Sequence, residues 1–143
     1  MLQAAKSVPF NRALCENQMT ETHFLNIDLD IESECEITQL VEELGRNLAI
    51  MSHHRIDDRN FASFETGESE ILNIVEQFVT AISLLSVEAS CIWSGCIKRE
   101  FNFGFQAEDK PRSYLAAIPA SVVKKLSELE AQIGITIYSP ESR

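Results

Sequence analysis

Two segments of the sequence alternate strictly between apolar and polar residues, and this alternation constrains the fold more than any other feature. In the segment 23–31, an apolar residue occupies every second position from Leu25 to Ile31, and Phe24 is the one exception. In the segment 100–106, the apolar positions are three phenylalanines with polar residues or glycine between them. A period of two places alternate side chains on opposite faces of a β-strand. Both segments are therefore predicted to be strands of a sheet with one buried face and one solvated face.

Three other segments repeat their apolar residues at helical spacing. The segment 33–45 opens with a capping-box pattern formed by Ser33 and Glu36 and closes with a glycine. The segment 69–85 has the longest apolar stripe, and the segment 119–134 opens with a proline that suits a first helical turn and closes with a glycine. The apolar residues are Ile37, Leu40, Val41 and Leu44 in the first segment, Ile71, Leu72, Val75, Phe78, Val79, Ile82 and Leu85 in the second, and Val122, Val123, Leu126, Leu129 and Ile133 in the third.

The remaining segments complete the predicted fold. Further strands are predicted at 47–53, 61–65 (a short edge strand), 87–93 and 135–138, and turns at 54–60 and Ser94-Gly95. Residues 1–22 are predicted to form a flexible N-terminal arm, and residues 23–143 a single domain. The predicted class is α+β, with a mostly antiparallel sheet of about five strands, helices packed on one face, and the order β-α-β-(β)-α-β-β-α-β.

The charge of the chain is unevenly distributed. The net charge is −10, and the segment 13–45 contains nine carboxylates and no lysine or arginine. An acidic field of this kind disfavours nucleic acid and anionic membranes and attracts basic proteins, although it also serves solubility alone. The sequence therefore predicts a cytoplasmic monomer or homodimer that binds a basic partner protein through one acidic face. The predicted partner-binding residues are Asp28, Asp30, Glu32, Glu36, Glu42 and Glu43.

Few residues indicate catalysis. The chain has no nucleophile-elbow motif, no glycine-rich phosphate loop and no metal-ligand spacing among its cysteines, so no catalytic residue, metal or cofactor is predicted. The alternative hypothesis is a metal-assisted hydrolase or a small-ligand-binding domain that uses Asp28, Asp30 and His53, with Glu100 as a further ligand.

A basic loop is the one predicted anion-binding site. Lys110 and Arg112 lie in the segment 107–115, and Lys98 and Arg99 are expected to lie near them. Arginine offers a planar fork that binds anions through two hydrogen bonds.

The last third of the chain carries a resemblance to known proteins. A helix that begins with Ile118-Pro119-Ala120-Ser121 is followed by a strand with the sequence Gly134-Ile135-Thr136-Ile137-Tyr138. This pattern, together with the opening β-α unit, resembles small bacterial α+β domains of unknown function, some of which are similar to immunity proteins. The resemblance implies a protein-binding role without catalytic residues.

Overall fold

The structure, a computed structural model, describes residues 21–140. Its strands are β1 (His23–Ser33), β2 (Ala49–Ile56), β3 (Arg59–Glu65), β4 (Lys98–Gln106) and β5 (Gln132–Tyr138). Its helices are α1 (Thr38–Leu44), α2 (Ile71–Ser83), α3 (Val87–Gly95) and α4 (Ala120–Glu128). The predicted N-terminal arm lies outside the described residues except for Glu21 and Thr22, and the backbone N–H of Thr22 donates to the carbonyl of Lys110 at 2.7 Å.

The five strands form one sheet in the order β2-β3-β1-β4-β5. The pairs β2–β3, β3–β1 and β1–β4 are antiparallel, whereas β4 and β5 run parallel. The parallel pair follows from α4, which carries the chain back along the sheet between the two strands. The α+β class and the five-stranded sheet are thus confirmed, but the sheet is mixed.

One face of the sheet forms the core together with the helices. Ile27, Leu29 and Ile31 of β1 are buried, and so are the three phenylalanines of β4. Phe78 of α2 packs edge-on against Phe101, with 5.2 Å between the ring centroids. Buried residues of all four helices belong to the same apolar cluster, so the helices cover one face, as predicted.

The predicted strand 87–93 is wrong, because these residues form helix α3. The Ser86 hydroxyl caps the helix by accepting a hydrogen bond from the Ala89 N–H at 3.1 Å. Ala89 and Trp93, four residues apart, are buried on one side of the helix, while Val87 is 76% exposed. The apparent alternation in this segment therefore hid a helical period, and the predicted hairpin with β4 does not form.

The predicted capping box is also wrong. Ser33 remains in β1, where it pairs with Asn60, and its hydroxyl accepts from the Cys35 N–H at 3.0 Å. The Glu36 carboxylate instead accepts from the N–H of Ile37 and the N–H and hydroxyl of Thr38. Strand pairing of Ser33 thus takes precedence over the local capping pattern, and α1 begins only at Thr38.

One turn, one strand position and one helix end differ from the prediction. Strand β2 continues to Ile56 and β3 begins at Arg59, so the predicted turn 54–60 contracts to Asp57 and Asp58. Strand β3 lies between β2 and β1, not at an edge.

Helix α4 ends at Glu128, and Gly134 lies within β5 beside Asn102. Strand pairing with β4 explains why Gly134 is not a helix stop.

A bulge near the start of β1 turns Leu25 away from the core, although the alternation of the sequence predicts that it faces the core. The pairing of β1 with β4 shifts between Phe24 and Asn26, and the intervening Leu25 is 41% exposed. Phe24 instead packs against Phe105, with 5.7 Å between the ring centroids. This shift leaves Asn26 on the polar side of the sheet.

Candidate functional site: the open face of the sheet

The side of the sheet opposite the helices is polar, and we call it the open face. Its residues alternate with helix-facing residues along the strands and follow from the strand register. It includes Asn26, Asp28, Asp30 and Glu32 of β1, Ser52, His54 and Ile56 of β2, Arg59, Phe61, Ser63 and Glu65 of β3, Lys98, Glu100, Asn102 and Gln106 of β4, and Gln132, Thr136 and Tyr138 of β5. No described helix packs on this face.

Three carboxyl groups lie together in the middle of the open face, and we call Asp28, Asp30 and Glu65 the carboxyl cluster. The Asn26 side-chain amide donates to Asp28 Oδ1 at 3.1 Å and to Glu65 Oε2 at 3.2 Å. Partial burial, a hydrogen bond with Glu65 and the charges of Glu65 and Asp30 raise the pKa of Asp28 from 3.8 to about 7. The carboxyl group of Asp28 is therefore only partly ionised at neutral pH.

The negative charge of the open face is balanced at its periphery but not in its centre. The Arg59 guanidinium forms an ion pair with Glu32. The Glu100 carboxylate lies 3.6 Å from Lys98 Nζ and accepts from Gln132 Nε2 at 2.7 Å. Among residues 21–140, by contrast, no lysine or arginine forms an ion pair with the carboxyl cluster. The cluster is therefore available to a cation from outside.

A shallow depression adjoins the carboxyl cluster. It lies between β1, β2 and β3, and its lining includes Asp30, Glu32, Ser52, His54, Phe61 and Lys98. The His54 and Phe61 rings contact each other across the pair of β2 and β3, with 5.4 Å between the ring centroids. The open face thus combines acidic groups with an adjacent aromatic surface.

The predicted single acidic face is divided between the two sides of the sheet. Asp28, Asp30 and Glu32 lie on the open face. Helix α1, which carries Glu42 and Glu43, packs Leu40, Val41 and Leu44 into the core on the other side. Glu36 precedes that helix and is exposed there. The six residues therefore do not form one surface, because adjacent positions in sequence separate when a strand is followed by a helix.

Glu43 is a buried connection between α1 and α3. Its carboxylate accepts from the Ser86 N–H at 2.8 Å, from the Ser86 hydroxyl at 2.7 Å and from Gln39 Nε2 at 3.0 Å. These hydrogen bonds lower the pKa of Glu43 from 4.5 to about 2. Its carboxylate oxygens thus serve the helix contact, and only 9% of the residue is exposed to a partner.

Replacing Glu43 with glutamine is expected to lower the melting temperature at pH 7, because an amide turns one donor toward the donors of Ser86. The folded-state pKa lies below the unfolded value, so the stabilisation is complete above pH 4.5 and disappears as the pH falls toward 2. Thermal unfolding at pH 7 and at pH 3 should therefore show a smaller difference between variant and parent at the lower pH. Glu42→Gln, one residue away and exposed, is the matched control, and equal melting temperatures for both variants at pH 7 would contradict this role.

The residues of the alternative metal site do not converge. His53 pairs with Ala62, whose side chain faces the core, so His53 lies on the helix side of the sheet. Asp28 and Asp30 lie on the opposite side. Across residues 21–140, no group of three histidine, cysteine, aspartate or glutamate side chains is placed to hold a metal ion.

The basic residues predicted to bind an anion are also separated. Lys110 and Arg112 are exposed in the loop beyond the end of β4, whereas Lys98 and Arg99 lie at the beginning of that strand. The length of β4 between its two ends is roughly 27 Å at 3.4 Å per residue. The Arg99 guanidinium is held by the carbonyls of Trp93 and Cys96, at 2.9 and 2.8 Å. The structure therefore does not gather these four residues into one site.

Glu65 and His54 complete the open face without having been predicted as site residues. Glu65 lies beside Asp28 only because β3 pairs with β1, which the sequence could not show. A local signal did exist, since Phe61, Ser63 and Glu65 alternate with the buried residues Ala62 and Phe64. That alternation places Glu65 on the same face as the acidic residues of β1.

Comparison with known proteins found no family model, no curated protein and no solved structure that matches this chain. The resemblance to immunity-like domains therefore stays a prediction. Within the described part of the chain, no single helix is long and apolar enough to cross a membrane; α2 and α3 reach that length and composition only as a pair bent by 118°.

Proposed function

We propose that this protein is a non-enzymatic protein-binding domain that recognises a basic partner through the open face of its sheet. The observation that carries the proposal is the carboxyl cluster of Asp28, Asp30 and Glu65, which is unneutralised by described cations and central on a face that no described helix covers. An immunity-like domain that neutralises a basic toxin would be one form of this function. The proposed location of the protein is the cytoplasm, as expected from the sequence.

The electrostatics of the cluster favour a cationic ligand. Crowded carboxylates repel one another, and the free protein relieves this repulsion by partial protonation of Asp28. A lysine or arginine side chain of the partner would replace that proton, and an arginine would bind both carboxylates with charge-assisted hydrogen bonds. Binding energy then comes partly from removing a repulsion that is already present.

The surroundings of the cluster suit a protein better than a small cation. Ile56 is 54% exposed on the open face, and Phe61 and His54 line the depression next to Asp30. Aromatic side chains are enriched in protein interfaces relative to the rest of the surface. The ion pairs of Glu32 with Arg59 and Glu100 with Lys98 would orient the partner at the rim.

Neutralising the carboxyl cluster is expected to abolish partner capture. The variant Asp28→Asn/Asp30→Asn/Glu65→Gln keeps the shape of each side chain and removes its charge. The control Glu42→Gln/Glu68→Gln/Glu88→Gln changes the net charge equally at exposed positions outside the open face. Pull-downs from the source cells should recover a basic protein with the parent and the control. Loss of even one well-paired charge should weaken binding by about tenfold or more.

Two results of the pull-down would contradict the proposal. One is capture of the same partner by the cluster variant and the control with equal affinity. The other is a captured partner whose contact surface, mapped by cross-linking, lies on the helix side of the sheet.

Partner binding is also expected to release a proton near pH 7, because a cation placed against Asp28 and Glu65 lowers the raised pKa of Asp28. Calorimetric titration of the captured partner in buffers of different ionisation enthalpy measures this release directly. The control variant should release the same amount as the parent. Binding of the parent without proton release would show that the partner does not contact the cluster.

A further inference from the structure

The edge strand β5 has an unusual composition for this chain. Its seven residues, Gln132–Tyr138, carry no charge, although the protein as a whole has a net charge of −10. Ile135 and Ile137 are 58% and 65% exposed. Edge strands that stay unpaired are usually protected by charges, prolines or bulges. Strand β5 has none of these, and its register with β4 is continuous over all seven residues.

The outward backbone groups of β5 belong to three isoleucines. The carbonyl of Tyr138 accepts from the Ala107 N–H at 2.8 Å, so the polar backbone groups of Tyr138 face β4. Backbone N–H and C=O groups alternate in direction along a strand, so those of Ile133, Ile135 and Ile137 face the free edge. No other strand among residues 21–140 lies along this edge. These groups are the ones that a further strand would satisfy.

The sequence of β5 is complementary to itself in the antiparallel direction. With Ile135 opposite Ile135 of a second copy, Ile133 lies opposite Ile137, and all three outward residues form hydrogen-bonded pairs. Their side chains share the helix side of the sheet, where they would cover one another's exposed surface. The two copies are both strongly acidic, so an uncharged strand is the edge where their mutual repulsion is smallest.

The opposite edge of the sheet is different. Strand β2 carries Arg55 and two histidines, and its register with β3 shifts between Ile50 and Ser52. A bulge and a charge are the usual means by which an edge strand avoids further pairing. The two edges thus differ in the features that control association.

We propose that β5 pairs antiparallel with β5 of a second copy of this chain, about a two-fold axis at Ile135, and joins the two five-stranded sheets into one continuous sheet. The surface is independent of the proposed function, because the carboxyl cluster lies on β1 and β3, separated from β5 by β4. Each copy would keep its open face free, and the dimer would present two such faces on the same side of one sheet.

The first test measures the molar mass in solution by light scattering and sedimentation across a range of concentrations. The parent is expected to approach twice 16.1 kDa, and Ile135→Lys, which places two like charges opposite each other, is expected to remain a monomer. Met51→Lys on β2, at an exposed position of the other edge, is the matched control and should still dimerise. Circular dichroism confirms that each variant is folded. A parent that is monomeric at all concentrations, or a dimer that survives Ile135→Lys, overturns the proposal.

The second test needs no substitution. Amide hydrogen exchange of Ile133, Ile135 and Ile137 should slow as the protein concentration rises, because their N–H groups become bonded across the two-fold axis. The amides of β2 that face the other edge should exchange at the same rate throughout. Fast exchange of the three isoleucine amides at a concentration where the mass is doubled would show that the dimer uses another surface.

Discussion

Replacing Phe101 with alanine is expected to lower the free energy of unfolding by about 3–5 kcal/mol, the usual loss for a fully buried phenylalanine. Phe101 is 0% exposed, lies between Leu29 of β1 and Ile133 of β5, and contacts the Phe78 ring edge-on. The substitution opens a cavity where the sheet meets α2, and the surrounding strands and helix cannot collapse into it without losing their register. Chemical denaturation monitored by circular dichroism measures the loss.

Phe61→Ala is the matched control for this core substitution. Phe61 is only half-buried and lies on the open face of β3, where its ring contacts His54. The same change of side chain should therefore cost about 1 kcal/mol or less. Equal losses for the two variants would mean that the open face is covered as fully as the core and would contradict the assignment of the two faces.

Replacing Asp28 with asparagine is expected to stabilise the protein at pH 8 by about 1–2 kcal/mol. This gain is smaller than the free energy that corresponds to the full rise of the pKa, because solvent screens the charge of a half-buried group. The variant removes a charge that burial, Glu65 and Asp30 all disfavour, and its amide still donates a hydrogen bond to Glu65. The melting temperature should rise by roughly 3–8 °C for a chain of this length. Thermal unfolding followed by calorimetry or circular dichroism measures it.

The sign of the pH dependence follows from the direction of the pKa shift. The folded-state pKa of Asp28, about 7, exceeds its unfolded value of 3.8, so the folded protein binds more protons between these values. The parent therefore loses stability as the pH rises from about 4 to 7, and the advantage of asparagine grows over the same interval. Asp109→Asn in the exposed loop is the control and should change little. A gain that is equal at pH 4 and pH 8 would show that the charge of Asp28 is not its cause.

Asp28 and Glu43 are shifted in opposite directions, and together they shape the pH profile of the parent. The stabilisation by Glu43 declines as the pH falls from 4.5 toward 2, whereas the repulsion at Asp28 increases above pH 4. The contributions of these two groups are therefore jointly most favourable near pH 4–5. One carboxyl stabilises a helix contact, and the other destabilises the free protein at a surface that no described helix covers.

This contrast supports the proposed function of the open face. A carboxyl group that lowers stability at neutral pH has no structural advantage over asparagine, whereas it offers a favourable position to a cation. We expect Asp28→Asn to raise the melting temperature and to weaken partner binding together. A stabilised variant with undiminished binding would separate the carboxyl cluster from the partner site.

The local pattern of the sequence was sufficient for several elements. Alternation in 23–31 and 100–106 indicated which residues of β1 and β4 face the core, because the period of a strand fixes the side of each residue. Helical spacing likewise indicated α1, α2 and α4. It failed for α3, where Val87, Ala89, Cys91 and Trp93 fit a period of two as readily as a helical turn, and packing of Ala89 and Trp93 against the core decided the outcome.

The sequence by itself determined which side of β1 is acidic, since Asp28 and Asp30 must lie opposite Ile27 and Leu29 on any extended strand. Only the tertiary structure decided what lies beside them. Glu65, thirty-seven positions from Asp28, joins the cluster because β3 pairs with β1, while Glu43 leaves the acidic surface because α1 packs on the other side of the sheet. The period of a segment depends on neighbouring residues, but the pairing of distant strands depends on how the whole chain buries its apolar surface.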